Sequence, residues 1–476
     1  MITRLEITGF KTFTDFSIGF TPFTIIAGPN GSGKSNLFDA IQLLGTIAET
    51  DLQSAFTNQR GESQELFTLN PNGSYADTMR FAVELLLSKN IRDKFGGQAE
   101  LRYTRLRYEV VLRRGLDQRG FERLTVAEER LFPIAKATDD WFRVNTGGNA
   151  ATWRPSTHGG TKPFIDTRPI DPEAPISEKE IFIRQDGSRG GRPSPVLETE
   201  QTMLSSVSKI DFPHVFAVKQ EMISWRFLQL NPVELRKPSP LLSLAKGTIA
   251  PDGSNLPTAL ARMEADAPGT IRLLSREVHR LLPGIQQVEL VPDEAKQQYI
   301  VYATMTDGRR FSSRVLSEGT LRLIVLCAFK YDSQYEGVLC FEEPENGIHP
   351  YRLHHLVQLL HDLSTDFSEA EEPTLRQLLV NTHSPGLLAA LVSLKQSAPS
   401  TALFASLATH VAPGEQPSQR TKMLPITFTL EHRLQPSLPL ENQRTASQYS
   451  LQEAIHYLKS ADVELALAEL ISLQSA

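Results

Sequence analysis

Residues 28–36 read Gly-Pro-Asn-Gly-Ser-Gly-Lys-Ser-Asn. Gly28, Gly33, Lys34 and Ser35 fall at the spacing of a loop that cradles phosphate. Glycines let successive backbone N–H groups turn toward one anion, and a helix starting there adds the positive end of its dipole. Lys34 would then reach the outer phosphates of a nucleoside triphosphate, and the Ser35 hydroxyl would ligate Mg²⁺. A second run, Val338-Leu339-Cys340-Phe341, ends in Glu342 and Glu343. Two acids at the end of a buried strand can divide the work: Glu342 orients the metal shell, and Glu343 positions and polarises a water within hydrogen-bond reach.

Two further runs could complete such a site. Ser317-Glu318-Gly319-Thr320 opens a helical pattern, with Ser317 as N-cap and Gly319 permitting close backbone approach. Leu378-Leu379-Val380 leads into Asn381-Thr382-His383-Ser384-Pro385, which places a histidine at another strand end.

The elements that must hold these residues follow from periodicity. Phe23 to Ala27 is an apolar, β-branched run and reads as the strand entering the loop; Leu37, Phe38, Ala40, Ile41 and Leu44 recur at helical spacing after it. Residues 51–75 read as polar and irregular. Residues 79–88 and 101–113 read as antiparallel strands, the second with Leu106, Tyr108, Val110 and Leu112 on one face and Arg105, Arg107, Glu109 and Arg113 on the other. Residues 136–195, rich in Pro, Gly, Asp and Arg, read as an excursion from the core. Residues 196–283 read as mostly helical, broken at Pro232, Pro238, Pro240 and Pro257. Strands return over 286–315, and helices and strands alternate from 316 to about 410, as in an α/β sheet. Residues 413–446 are polar, and a last helix over 448–474 carries Leu451, Ile455, Leu458, Val463, Leu465, Leu467 and Leu470 as a stripe that looks exposed.

Of 476 residues, 40% are hydrophobic and 22% charged, the balance of an ordinary globular chain. A net charge of −6 argues against a broadly basic nucleic-acid coat. Cys327 and Cys340 sit in apolar runs and read as core thiols of a reducing compartment. No run approaches the roughly 20 apolar residues of a membrane span. No targeting segment is expected at Met1-Ile2-Thr3-Arg4-Leu5, which starts directly with strand-like alternation.

Taken in order, the four motif runs resemble the ATP-binding-cassette ATPases, and within them the branch of SMC-, RecF- and OLD-type enzymes. The phrase Glu-Glu-Pro-Glu-Asn-Gly-Ile-His-Pro at 342–350 is similar to that of stand-alone bacterial ATPases of this type. The resemblance covers residues 1–70 and 284–395. It implies a P-loop α/β head: an antiparallel β subdomain, a parallel-sheet core and an inserted, mainly helical lobe. The divisions it suggests are 1–135, an inserted 136–283, 284–412, and a C-terminal extension 413–476. It implies ATP and Mg²⁺ as cofactors. Asn30, Gly31, Gly33, Lys34, Ser35 and Asn36 would bind the nucleotide, with Gln64 as a candidate loop glutamine. Ser35 and Glu342 would hold the metal, and Glu343 and His383 would be catalytic. Ser317 and Gly319 would act in trans, from a second copy.

Three departures narrow the resemblance. Glu342 stands where an aspartate is usual. Ser-Glu-Gly-Thr at 317–320 is unlike the signature of a transporter subunit, and no coiled-coil arms follow residue 100. The implied activity is ATP hydrolysis in the cytoplasm by a homodimer or higher oligomer, away from membranes, gating a separate effector such as a nuclease in anti-phage defence. A RecF-like DNA-repair clamp, using Arg105, Arg107, Arg113, Arg184, Arg189 and Arg192, is the alternative, and a slow ATP-gated scaffold is a third. Residues 136–283 and the last helix are the expected partner surfaces. No second metal site for nuclease chemistry is expected, since Asp362, Asp366, Glu369, Glu371 and Glu372 read as a solvated loop.

Overall fold

A computed structural model describes residues 1–146, 153–155, 162–169, 179–184, 192–195, 199–241, 248–368, 374–391, 394, 400–410, 418–427 and 448–459. Two large sheets organise them. The first has eight antiparallel strands in the order Arg192–Pro195, Lys179–Ile183, Ile165–Pro169, Glu122–Pro133, Arg105–Leu116, Thr78–Leu86, Ile2–Thr8 and Phe16–Gly19. The second has seven, in the order Arg226–Leu228, Gly337–Glu342, Arg376–Thr382, Phe23–Ala27, Ser400–His410, Ser418–Thr427 and Tyr449–Ser450. Its first five strands are parallel.

A parallel sheet is buried on both faces, so its strands read as continuous apolar runs. Phe23-Thr24-Ile25-Ile26-Ala27 is such a run, fully buried, and its side chains divide by alternation. Ile26 enters a core shared with the first sheet and the helix Lys34–Ile47. Phe23, Ile25 and Ala27 enter a second core with the helices Glu318–Tyr331, Leu353–Asp362 and Thr270–Leu281. The loop helix is thus wedged between two sheets while its N-terminus stays at the carboxyl edge of the second. Nucleotides bind at that edge in open α/β sheets.

Several sequence expectations change here. Residues 51–75 hold a capped helix, Leu52–Thr57, and a 3₁₀ turn, Ser63–Leu66. The described strands within 136–195 pair in the first sheet, so they extend it instead of leaving it. Pro232 and Pro257 start helices, Pro232–Leu235 and Leu256–Asp266; proline is tolerated in a first turn because its missing N–H has no helical partner there. A strand, Ser418–Thr427, occupies part of the polar 413–446 stretch. Residues 451–459 are helical, with Leu458 buried and Leu451 and Ile455 packed on the second core, so that part of the leucine stripe is covered. Val463, Leu465, Leu467 and Leu470 lie outside the described residues, as do Arg189, Glu369, Glu371 and Glu372.

The arginine row of the first sheet is structural. Arg105 is buried; its Nε and Nη2 donate to Asp139 at 2.8 and 2.9 Å, and its Nη1 donates to Thr3 Oγ1 at 2.8 Å. Arg154 Nη1 reaches the same carboxylate at 2.7 Å. Arg107 is bound by Glu6, Glu84 and Glu109. Only Arg113 of the expected trio is exposed. Beneath this row Glu129 is buried, accepting from Tyr108 OH at 3.1 Å and from the N–H groups of Met203 and Leu204 at 2.6 and 2.9 Å. Burial pushes its carboxyl up to about 7, against the pull of those donors.

Candidate functional site

The strand Phe23–Ala27 delivers the chain into the glycine loop, and the loop's shape depends on two left-handed residues. Gly31 and Gly33 have φ of 75° and 92°. A Cβ at Gly31 would meet nothing within 4 Å, whereas one at Gly33 would lie 2.1 Å from Thr421 Oγ1. Thr421 belongs to the strand Ser418–Thr427 and bonds Thr12 Oγ1 at 2.7 Å; Asn36 Nδ2 donates to that same Thr12 oxygen at 3.0 Å. A part of the chain that carries no motif therefore walls the back of the loop. Lys34 starts the helix and is buried, its Nζ donating to Gly28 O at 2.7 Å and Pro29 O at 2.9 Å. Burial lowers the pKa of its ammonium, opposed by the negative charge of Glu343, Glu342 and Glu345.

The parallel pairing of Gly337–Glu342 with Arg376–Thr382, and of the latter with Phe23–Ala27, sets the acids beside this loop. Glu342 is held by two amides: Asn381 Nδ2 donates to Oε1 at 3.1 Å and Gln229 Nε2 to Oε2 at 3.3 Å. Neutral donors orient a carboxylate without cancelling its charge, so it stays available to a cation. Glu343 has a left-handed backbone, φ 48°, uncommon for a residue other than glycine. Its Oε2 accepts from Asn346 Nδ2 at 2.8 Å, and its Oε1 lies 2.6 Å from His383 Nδ1. Burial would raise its pKa; the bonds from Asn346 and His383, with the charges of His383 and Lys34, outweigh that and hold it below the usual carboxylate value.

The loop and the two acids converge on a cavity of about 620 Å³, which His383 touches only through its bond to Glu343, lined by Asn30, Gly31, Gly33, Lys34, Ser35 and Asn36 on one side. Glu342, Glu343, Asn346, Asn381, Gln229, Asn231 and Arg322 line the other. That volume suits a nucleotide. The donor set fits one too: backbone N–H groups and Lys34 for phosphates, and the Ser35 hydroxyl with Glu342 as hard oxygen ligands for Mg²⁺.

Not every expected residue arrives. Gln64 sits exposed on its 3₁₀ turn and does not line the cavity. Gln229 does, because the short strand Arg226–Leu228 pairs in parallel with 339–341 and ends level with Glu342. No sequence signal marked it, because the residues before it, Ser224-Trp225-Arg226-Phe227-Leu228, are few and mixed in polarity and form a strand of only three residues. Ser317 caps its helix, accepting from Thr320 N at 3.3 Å, and is exposed. A Cβ on Gly319 would fall 2.1 Å from Gly347 O, so the close approach is real: the helix start rests on the turn after Glu343. Neither Ser317 nor Gly319 lines the cavity of its own chain.

A glycine loop between a parallel strand and a helix, with acids at the end of the next strand but one in the same sheet, defines a P-loop nucleotide-binding protein. Residues 236–389 match a family described as AAA domain, putative AbiEii toxin, Type IV TA system, and residues 1–63 match the RecF/RecN/SMC N-terminal domain. Between them these segments contain Lys34, Ser35, Ser317, Glu342, Glu343 and His383. The chromosome partition protein Smc of Bordetella petrii is 31% identical over 187 residues, which is 39% of this chain and 14% of that protein. The DNA replication and repair protein RecF of Beutenbergia cavernae is 44% identical over 48 residues, 10% of this chain and 12% of that one. The match thus spans about a seventh or less of these relatives' length. The SMC head domain from Thermotoga maritima aligns with a TM-score of 0.36 and 13% identity, over 90% of this chain and 99% of that one. Over these segments the chain resembles the SMC/RecF-like ABC-type ATPases.

Proposed function

We propose that this chain is a Mg²⁺-dependent ATPase whose site is completed by a second copy, and whose nucleotide cycle gates a separate effector. The observation that carries the reading is the convergence of Lys34, Ser35, Glu342 and Glu343 on one nucleotide-sized cavity. Lys34 and the loop N–H groups would hold the β- and γ-phosphates. Glu342, fixed by Asn381 and Gln229, would hold the metal together with Ser35. Mg²⁺ when bound supplies charge neutralisation of the phosphates. Glu343, kept ionised and aimed by Asn346 and His383, would orient the attacking water, and His383 would follow the γ-phosphate through that bond. Catalysis of this kind is positioning plus charge stabilisation.

The second copy is supported by Ser317. It caps a 14-residue helix, is exposed, and does not line the cavity of its own chain. A helix N-terminus offers free N–H groups and positive potential to an anion, here the γ-phosphate bound by a partner. The Glu343→Gln variant should double in mass with ATP and Mg²⁺. Adding Ser317→Arg should block that doubling while ATP still binds. A Ser317→Arg variant with wild-type turnover and assembly would overturn the composite site.

Effector gating and a role in anti-phage defence draw support from the family description at 236–389, which names a putative toxin. The cytoplasm, where ATP is supplied, is the location this reading requires. The DNA-clamp reading loses Arg105 and Arg107 to internal ion pairs. It retains one observation: the hairpin joining Arg105–Leu116 to Glu122–Pro133 carries exposed Leu116 and Phe121 beside exposed Arg113 and Arg119. Salt-sensitive duplex binding lost in an Arg113/Arg119 double alanine variant would favour it.

A further inference from the structure

The third acid of the 342–345 run has no part in the chemistry above. Glu345 is buried, and its Oε1 accepts the hydroxyl proton of Thr382, the residue before His383. That same Thr382 oxygen accepts from Ser384 N at 2.9 Å. Thr382 Oγ1 therefore clamps the backbone on the far side of His383, and Glu345 clamps Thr382. Glu345 Oε2 is buried with no hydrogen-bond partner, a costly arrangement for a carboxyl group that serves only packing. On its other side, Glu345 O accepts from Ile348 N at 2.9 Å and closes the turn whose Gly347 lies against Gly319.

We propose that Glu345 is a positioning residue that couples His383 to the start of the Ser317 helix, so that the site's own-chain and partner-facing halves move together. The inference rests on the ATPase reading. Its geometry is a short chain of contacts: His383 follows Thr382, Thr382 binds Glu345, and the Glu345–Ile348 turn seats Gly319. Burial raises the Glu345 pKa, which suits a group acting through a hydrogen bond and not through its charge.

The test uses the full chain with Mg²⁺-ATP. Glu345→Ala should lower kcat about tenfold or more with KM changed less than about threefold, because the ground-state phosphate contacts are untouched. Glu345→Gln should return to within about threefold of wild type, since its amide oxygen still accepts from Thr382. Thr382→Val should resemble Glu345→Ala, and the double variant should be no worse than the poorer single, as for two ends of one bond. In the Glu343→Gln background, Glu345→Ala should weaken ATP-driven pairing. Wild-type kcat in Glu345→Ala, a Gln variant as impaired as Ala, or multiplying effects in the double would each overturn the inference. If Glu345→Ala does not fold, Glu345→Gln and Thr382→Val carry the same test alone. A wild-type chain without turnover would instead overturn the ATPase reading itself.

Discussion

The two large sheets treat charge in opposite ways. On the first, each buried charge of the arginine row meets its counter-charge: Asp139 binds both Arg105 and Arg154, and Arg107 is enclosed by three glutamates. At the carboxyl edge of the second, Glu342, Glu343 and Glu345 gather around one lysine that is itself bonded to backbone carbonyls, and their remaining partners are amides, a hydroxyl and a histidine. Saturated ion pairs fix a fold; an unbalanced cluster held in place by neutral donors stores a demand for a cation. A sequence full of Arg and Glu can mean either, and the difference lies in what covers each face.

That contrast can be broken from the stabilising side first. Asp139→Asn should leave Arg105 and Arg154 buried without a full counter-charge and cost about 3–5 kcal/mol, read as a lower denaturation midpoint. Glu342→Gln should keep or raise that midpoint, as substitutions at functional positions often do, and Glu343→Gln should lower it by less than Asp139→Asn, because only the attraction of partly exposed His383 and of Lys34 is lost. Equal losses of stability in both regions would erase the distinction.

A smaller effect separates two glutamines. Gln229→Ala should free one oxygen of Glu342 and lower ATP turnover by about tenfold, the scale of losing an outer partner of a metal ligand. Gln64→Ala should leave steady-state kinetics unchanged, since its side chain is exposed and outside the cavity. The reverse ranking would return the loop role to Gln64.

The smallest effect is titration of the first sheet. Glu129 binds its proton more tightly folded, at about 7, than its ordinary 4.5. The folded state therefore holds more protons between those values, and stability present below about 4.5 is lost as pH rises to about 7. Glu129→Gln should flatten the fall in melting temperature over that window. An unchanged slope would show that the carboxyl titrates normally.

The site was legible where chemistry is contiguous in sequence. Gly28 to Asn36, Glu342-Glu343 and His383 each follow an apolar strand, and strand ends in a parallel sheet share one edge, so three separate runs pointed to one place. Gln229 was not legible, because its strand is three residues long and gains its position only by pairing with 339–341. Thr421 was not legible either: a threonine matters there only because Gly33 leaves no room for a Cβ. The Arg105 face was misread for a related reason. Alternation shows that a strand has two faces, but whether the polar face meets water depends on Asp139 and Trp141, which arrive from more than thirty residues away and lay Trp141 5.1 Å from the guanidinium.

The most direct test is single-turnover chemistry on the full chain and its Glu343→Gln variant, measuring bound ATP and released phosphate in Mg²⁺. The account predicts that the variant binds ATP at least as tightly as wild type and releases phosphate at least about a hundredfold more slowly, while Lys34→Ala fails at binding. Phosphate release by Glu343→Gln at the wild-type rate would contradict it.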